Sequence, residues 1–467
     1  MTIKKFDIAV VGNGMIGVLT SFLLKEKYHQ KKICLIGNKY FKNSASISAG
    51  AMHAVFCEIE QNFNESKLEQ SNFEIGLKSR VLWEKIFKKH NLSDSKTSKD
   101  TLFYIKNKCS DFEKNNFEAA CVVAKKYKIL KRISKNELKK NFNGHLNKND
   151  LKCFKIKNEF SFNPLHLIKT LLNLSKKNKL DYIEEDVNNI ILKSKKYLIN
   201  DKYLADKLIV AGGYNSHEMA KNLFKPIPII KGVGTAFILK HDYFKDLNSV
   251  IRTSNRGGQQ CGLHLVPYNQ KKGEVYIGAG NYVSADNNPW ARTETIKYLV
   301  TLLEDELIPK SVLYHSSIKT LLGYRPRSID NAASIGPVND SLFYVSGTNR
   351  VGLSWASYIA TEIVSWIGGR KNDSLLDQYN PNRKLRSWGK IDQACNYYAS
   401  SRLSNLMEHK LIKKNQFKKK FNELYKFARK KNIYLIKKFK LKKNFVIDPD
   451  CYSYYEKLNY NDIKFRK

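Results

Sequence analysis

Val10-Val11-Gly12-Asn13-Gly14-Met15-Ile16-Gly17 decides the fold. The apolar run Phe6 to Val11 reads as a buried strand, and Ile16 to Leu24 has the apolar density of a helix packed on a sheet. Between them the glycines divide the labour. Gly12 permits a tight turn, Gly14 lets the backbone approach a pyrophosphate, and Gly17 lets strand and helix pack closely, while the helix N-terminus that begins at Met15 and Ile16 faces negative charge. A second strand, KKICLIG at 31–37, completes a βαβ unit. The order of strand, turn, helix and strand makes this a dinucleotide-binding signal and not a lone glycine pattern. The acidic residue expected at the end of the second strand is missing; Asn38 stands there as a ribose contact or a plain turn residue.

The remainder of the chain fits a large α/β protein. Its 467 residues, 42% hydrophobic and 12% aromatic, exclude a disordered chain. No apolar run of about eighteen residues predicts a spanning helix. Asp7 and the glycines interrupt what would otherwise pass for a signal peptide, so a buried first strand and a cytoplasmic protein are expected. The eight cysteines have neither CxxC pairing nor regular spacing, which indicates reduced thiols, no disulfide framework and no metal site.

Residues 66–150 are polar and read as an insertion, with helical stretches around Leu77–Phe87 and Phe117–Tyr127. NPLHLIKTLLNLSKK, from Asn163, predicts an amphipathic helix with Asn163 as its cap and Pro164 at its first position. KYLINDKYLA reads as a hairpin leading into the strand KLIVAGG at 207–213, and 226–285 as an antiparallel sheet. LFYVSG at 342–347 is a further buried strand entering a glycine turn and a helix from Trp355.

Four segments specify the nucleotide: SASISAGAMHA at 44–54, KLIVAGGYNS at 207–216, GYRPRSIDNAASIGPV at 323–338 and VSGTNRVGLSWASYIATEIV at 345–364. In this order they resemble the D-amino acid oxidase-like (DAO) family of FAD-dependent oxidoreductases over about residues 5–388, nearest its glycine oxidase-like branch. The resemblance implies an FAD-binding Rossmann-like domain formed from residues 1–90, 155–225 and 320–388, and an antiparallel-sheet substrate domain from 91–154 and 226–319. It implies noncovalent FAD: His53 lies one residue short of the spacing at which some relatives attach flavin. Ser44, Ser46, Ala49 and Gly50 would lie against the flavin, Ala211 and Gly212 beneath the cofactor, and Val187 at the adenine. Gly347, Val351, Gly352 and Leu353 would face the pyrimidine end of the ring.

The same resemblance places Arg325 and Arg350 where a substrate carboxylate is held or bordered, a task suited to the planar guanidinium fork. His264 replaces a phenol, while Asn281 and Ala51 replace methionines, which implies a substrate larger and more polar than glycine. The implied chemistry is oxidation of the C–N bond of an amino acid or N-substituted amino acid by hydride transfer to flavin N5, with no obligatory side-chain base. Two alternatives stay open: a flavin oxidase acting on a glycine-like side chain of a tRNA base or other macromolecule-bound amine, and a nonenzymatic protein retaining the FAD cradle.

The formal charge is +39, and residues 389–467 hold 21 Lys/Arg against 7 Asp/Glu. That stretch reads as a basic helical extension with lysines outward and apolar residues toward the body, separable without loss of flavin; an RNA or an anionic membrane surface is its candidate partner. Homo-oligomerisation is open.

Overall fold

The computed structural model describes residues 2–41, 43–134, 137, 151–257, 260–284, 286, 289–370 and 374–464. The part of the expected 91–154 segment at 138–150 lies outside them, as does the side chain of Cys261. Two sheets organise the chain. The first runs Ser334–Pro337, Leu342–Ser346, Tyr203–Val210, Lys4–Val11, Ile33–Ile36, Asp181–Ile183 and is parallel except at its first pair. Its central strand Lys4–Val11 begins with exposed Lys4 and Lys5, but from Ile8 to Val11 it is apolar and buried, as a strand covered on both faces must be. Lys196–Ile199 folds back antiparallel on the start of Tyr203–Val210, the hairpin expected from KYLINDKYLA, and Ile190–Lys193 adds a further antiparallel strand to Lys196–Ile199.

The second sheet runs Ser317–Ser328, Ile229–Lys240, Glu274–Ser284, Gln260–Asn269, Val250–Thr253, Lys96–Lys106, Leu151–Phe162, Met52–His53. It is largely antiparallel, with Val250–Thr253 and Lys96–Lys106 running parallel. Positions 155 and 320, expected as domain boundaries, fall inside strands of this sheet.

The helix Met15–Lys27 is buried between the first sheet and the helices Pro164–Lys177 and Gly352–Ile367. The Asn163 side chain accepts a hydrogen bond from His166 N at 3.0 Å, with Pro164 in the first turn. One expectation needs correction: the polar stretch from 66 is not a mere insertion. Its helix Lys67–Lys89 drives Ile75, Trp83, Ile86 and Phe87 into the core of the first domain. The buried stripe is narrow, and the charged residues between its members disguise it.

The C-terminal residues form helices Ile391–Glu408 and Phe417–Lys438, followed by the short helices Tyr452–Lys457 and Tyr460–Ile463. Ala428, Leu435, Phe439, Ile447, Cys451 and Tyr455 make a common core with Ile227, Ile230, Ile329 and Leu385. The extension is therefore docked, with one apolar face inward as expected and lysines outward. The seven described cysteine thiols are all free, and no helix among the described residues is long and apolar enough to cross a membrane.

Candidate active site

One elongated cavity of about 490 Å³ runs from the glycine turn to the second sheet. At its inner end Gly12 has φ +110°, and a Cβ there would lie 2.3 Å from the Ala211 carbonyl oxygen. A Cβ on Gly17 would lie 1.8 Å from Gly12 O. Any larger residue would push the strand, the helix and the Tyr203–Val210 strand apart. Gly14 precedes the helix Met15–Lys27, whose first turn carries no acidic side chain, so its N-terminal dipole is free to meet an anion. Met15 N donates to Ser46 Oγ at 3.0 Å, which brings the small-residue segment against that terminus.

The end of the cavity beside Asn38 shows what the missing acidic residue left unexplained. Asn38 Nδ2 donates to both carboxylate oxygens of Asp186 at 2.9 Å, and Asn38 Oδ1 accepts from Tyr40 N at 2.7 Å. Asn13 Nδ2 donates to Asn38 O at 2.7 Å and to Tyr182 Oη at 3.0 Å. An acidic group therefore reaches this end of the cavity from a segment about 150 residues away; the acidic triplet Glu184, Glu185, Asp186 just before Val187 was its sequence signal.

Gly12, Gly14, Met15, Ile16, Asn38, Ser44, Ser46, Ala49, Gly50, Val187, Ala211, Gly212, Val351, Gly352 and Leu353 line the cavity, as do Ala51, His264, Arg325 and Arg350. Gly17, Gly347 and Asn281 do not. Gly347 takes φ +72° in the turn before Arg350, and Asn281 serves Arg325 instead. His53 also stands off the cavity, fully buried and stacked on Phe160 with ring centroids 5.1 Å apart. Dry burial, with the Arg80 charge behind it, lowers its pKa to about 3.

At the outer end the two candidate arginines differ. Arg325 Nη1 donates to Asn281 Oδ1 at 2.8 Å and Nη2 to Gly280 O at 3.4 Å, both neutral acceptors. The absence of a side chain at Gly234 leaves room for the guanidinium: a Cβ there would lie 2.8 Å from Arg325 Nη2. Arg350 instead forms an ion pair with Glu58 and donates to Asn255 Oδ1 at 2.8 Å. Glu58 also accepts from Arg252 Nη1 at 2.9 Å. Burial works against ionisation of Glu58, but Arg350 and Arg252 together outweigh it and hold its pKa below the ordinary carboxylate range.

His264 stacks on Tyr276 at 5.8 Å. Burial, followed by the charges of Arg252, Arg350 and Arg325, keeps its pKa well below the ordinary value, so it faces the cavity as a neutral imidazole. Sequence reasoning missed Glu58, Arg252 and Asn255; the last two lie about 200 residues from Glu58, and nothing local marks them.

A glycine-rich turn at a parallel sheet, a small-residue segment on the helix terminus and a second sheet closing over the far end define a flavin-dinucleotide oxidoreductase fold. The family model described as FAD dependent oxidoreductase, DAO, matches residues 7–366, and the chain belongs to that family. Among solved structures it is similar to glycine oxidase from Geobacillus kaustophilus (14% identity, TM-score 0.68, 82% of this chain and 100% of that one). It is also similar to iminodiacetate oxidase from Chelativorans sp. BNC1 (14%, 0.67, 80% and 98%) and to L-proline dehydrogenase from P. horikoshii (16%, 0.65, 81% and 97%). No curated protein matches the chain. The protein is thus an FAD-dependent oxidoreductase, and the glycine cradle, the open helix terminus and the cavity fit that cofactor.

Proposed function

We propose that the protein oxidises the C–N bond of a small amino acid or N-substituted amino acid whose carboxylate is anchored by Arg325. The observation that carries this reading is the contrast between the two cavity arginines: Arg350 is matched by Glu58, whereas Arg325 has only neutral acceptors on its fork. A half-buried guanidinium at the cavity wall that donates only to neutral acceptors favours an anion that accepts two parallel hydrogen bonds. Bound FAD, held noncovalently in this reading, supplies the two-electron acceptor.

The chain's own residues bind and orient. Asn281 fixes the Arg325 fork, and neutral His264 offers a polar wall without adding charge. Ala51 and the cavity beyond it leave room for a substrate bulkier and more polar than glycine. The Glu58 carboxylate, held ionised by Arg350 and Arg252, also lines the cavity. The similarity to glycine and iminodiacetate oxidases supports an amine adjacent to a carboxylate.

Anaerobic addition of glycine, iminodiacetate and bulkier polar amino acids to the yellow holoprotein should bleach the flavin absorbance with at least one of them. In Arg325→Lys, which keeps the charge and loses the fork, the substrate constant should rise roughly 10- to 100-fold with FAD still bound, the loss of about one to two charge-assisted hydrogen bonds. Unchanged kinetics would remove Arg325 from the site. A second reading, a macromolecule-bound amine, is favoured by the exposed lysines 418, 419, 426 and 430; salt-sensitive retention on RNA would support it.

A further inference from the structure

We infer that the C-terminal segment 389–464 is a positioning element of the substrate half of the site, acting through two buried arginines and without touching substrate. The inference rests on the reading of Arg325 as the carboxylate anchor.

Arg327 sits two residues from Arg325, which lines the cavity, and Arg256 sits beside Asn255, which accepts a hydrogen bond from the cavity-lining Arg350. Arg327 follows Arg325 on the strand Ser317–Ser328 and is 4% exposed. Its Nη2 donates to Asp448 Oδ2 at 3.2 Å and Asp450 Oδ2 at 3.4 Å, both in the segment. The backbone there is tied to the Arg350 turn, because Arg327 bridges to Thr348 and Asn349 N donates to Pro326 O at 2.7 Å. Arg256 is fully buried and follows Asn255, the residue that joins Arg350 to Glu60. Arg256 pairs with Glu113 and Glu306 of the body at 2.9 Å and with Glu408 of the segment at 3.6 Å. Ser404 of the segment donates to the Arg256 carbonyl oxygen.

The Ser401 carbonyl oxygen presses against Gly257, where a Cβ would lie 3.0 Å from it. The strand bearing Arg325 and the loop bearing Asn255, which between them hold the Arg350 turn, are thereby clamped from outside by one module. None of the contacts reaches the glycine cradle, which lies at the opposite end of the cavity. A buried guanidinium deprived of its carboxylates is strongly unfavourable, so the strand that carries Arg327 must rearrange when Asp448 and Asp450 are neutralised, whereas Arg256 keeps Glu113 and Glu306.

The test uses the full-length holoprotein, with acetate as a carboxylate probe read by the perturbation of the flavin spectrum. In the double variant Asp448→Asn, Asp450→Asn, which leaves Arg327 without a carboxylate, the acetate dissociation constant should rise at least about tenfold while FAD affinity stays within about twofold, a split that general destabilisation would not produce. Acetate affinity unchanged in this variant but lost in Arg325→Lys would overturn the inference and leave the anchor intact. Acetate affinity unchanged in Arg325→Lys would instead overturn the anchor. Should the double variant not fold, Asp450→Asn, which leaves Arg327 with Asp448, replaces it under hydrogen exchange. Faster exchange at residues 348–352 with residues 8–20 unchanged would support the inference, and unchanged exchange at 348–352 would overturn it.

Discussion

At the scale of single residues, local surroundings decide which of two identical side chains is available. Arg325 and Arg350 are both legible as candidates from the GYRP and TNRVG segments, but nothing in either segment reveals Glu58, which lies 292 positions from Arg350 and takes up its charge. His53 shows the same dependence. The sequence places it near a position of flavin attachment, whereas the structure buries it against Phe160 away from the cavity. Its folded pKa of about 3 lies below the ordinary 6.5, so between those values the unfolded chain binds the extra proton. The stability contributed by neutral His53 is therefore complete above about pH 6.5 and declines as pH falls through that window. Between pH 7.5 and 5.5 the loss should be about 1.4 kcal/mol. Urea unfolding of wild type and His53→Phe at the two pH values checks this: the wild type should lose that much more than the variant, and equal losses would mean that His53 titrates in the fold as it does in the unfolded chain.

At the scale of elements, the sequence is most readable where one segment carries its own instructions. The glycine turn, the helix that Asn163 and Pro164 begin, the hairpin into Tyr203–Val210 and the strand Leu342–Ser346 all follow from local chemistry, and each occurs where its residues put it. The helix Lys67–Lys89 is the counterexample. Its buried residues are separated by Lys and Glu, and its core membership is settled by Ser79 and Trp83 meeting the helix Gly352–Ile367, 270 and more positions away. The capping argument yields a local prediction. Asn163→Ala removes the bond from His166 N and the one that Asn163 Nδ2 donates to Tyr268 O at 3.1 Å. Unfolding free energy should drop by about 1–2 kcal/mol, with FAD affinity and substrate constants unchanged, because neither partner faces the cavity. A variant as stable as wild type would show that the proline alone suffices to start the helix.

For the whole molecule, the basic C-terminal region overturns the simplest reading of its charge. The lysines describe only its outer face; its inner face supplies part of a core with Ile227, Ile230, Ile329 and Leu385 and the acids that match Arg327 and Arg256. The residues that do this, Glu408, Asp448 and Asp450, are three of only seven acidic residues in 389–467, and a net-charge count conceals them. A chain ending at 388 would expose those apolar side chains to water and leave Arg327 with neither of its carboxylates. Stranding one buried charge costs about 3–5 kcal/mol, a large share of the about 5–15 kcal/mol that holds a typical domain together. Such a truncation should therefore unfold at a markedly lower temperature than the full chain or accumulate as insoluble protein, even though the family match stops at residue 366 and the glycine cradle is untouched. Thermal unfolding of the two forms, followed by flavin fluorescence and by circular dichroism, separates the cases: a truncated protein that stays yellow and melts with the full-length one would mean that the interface against Ile227 and Arg327 contributes nothing to the fold.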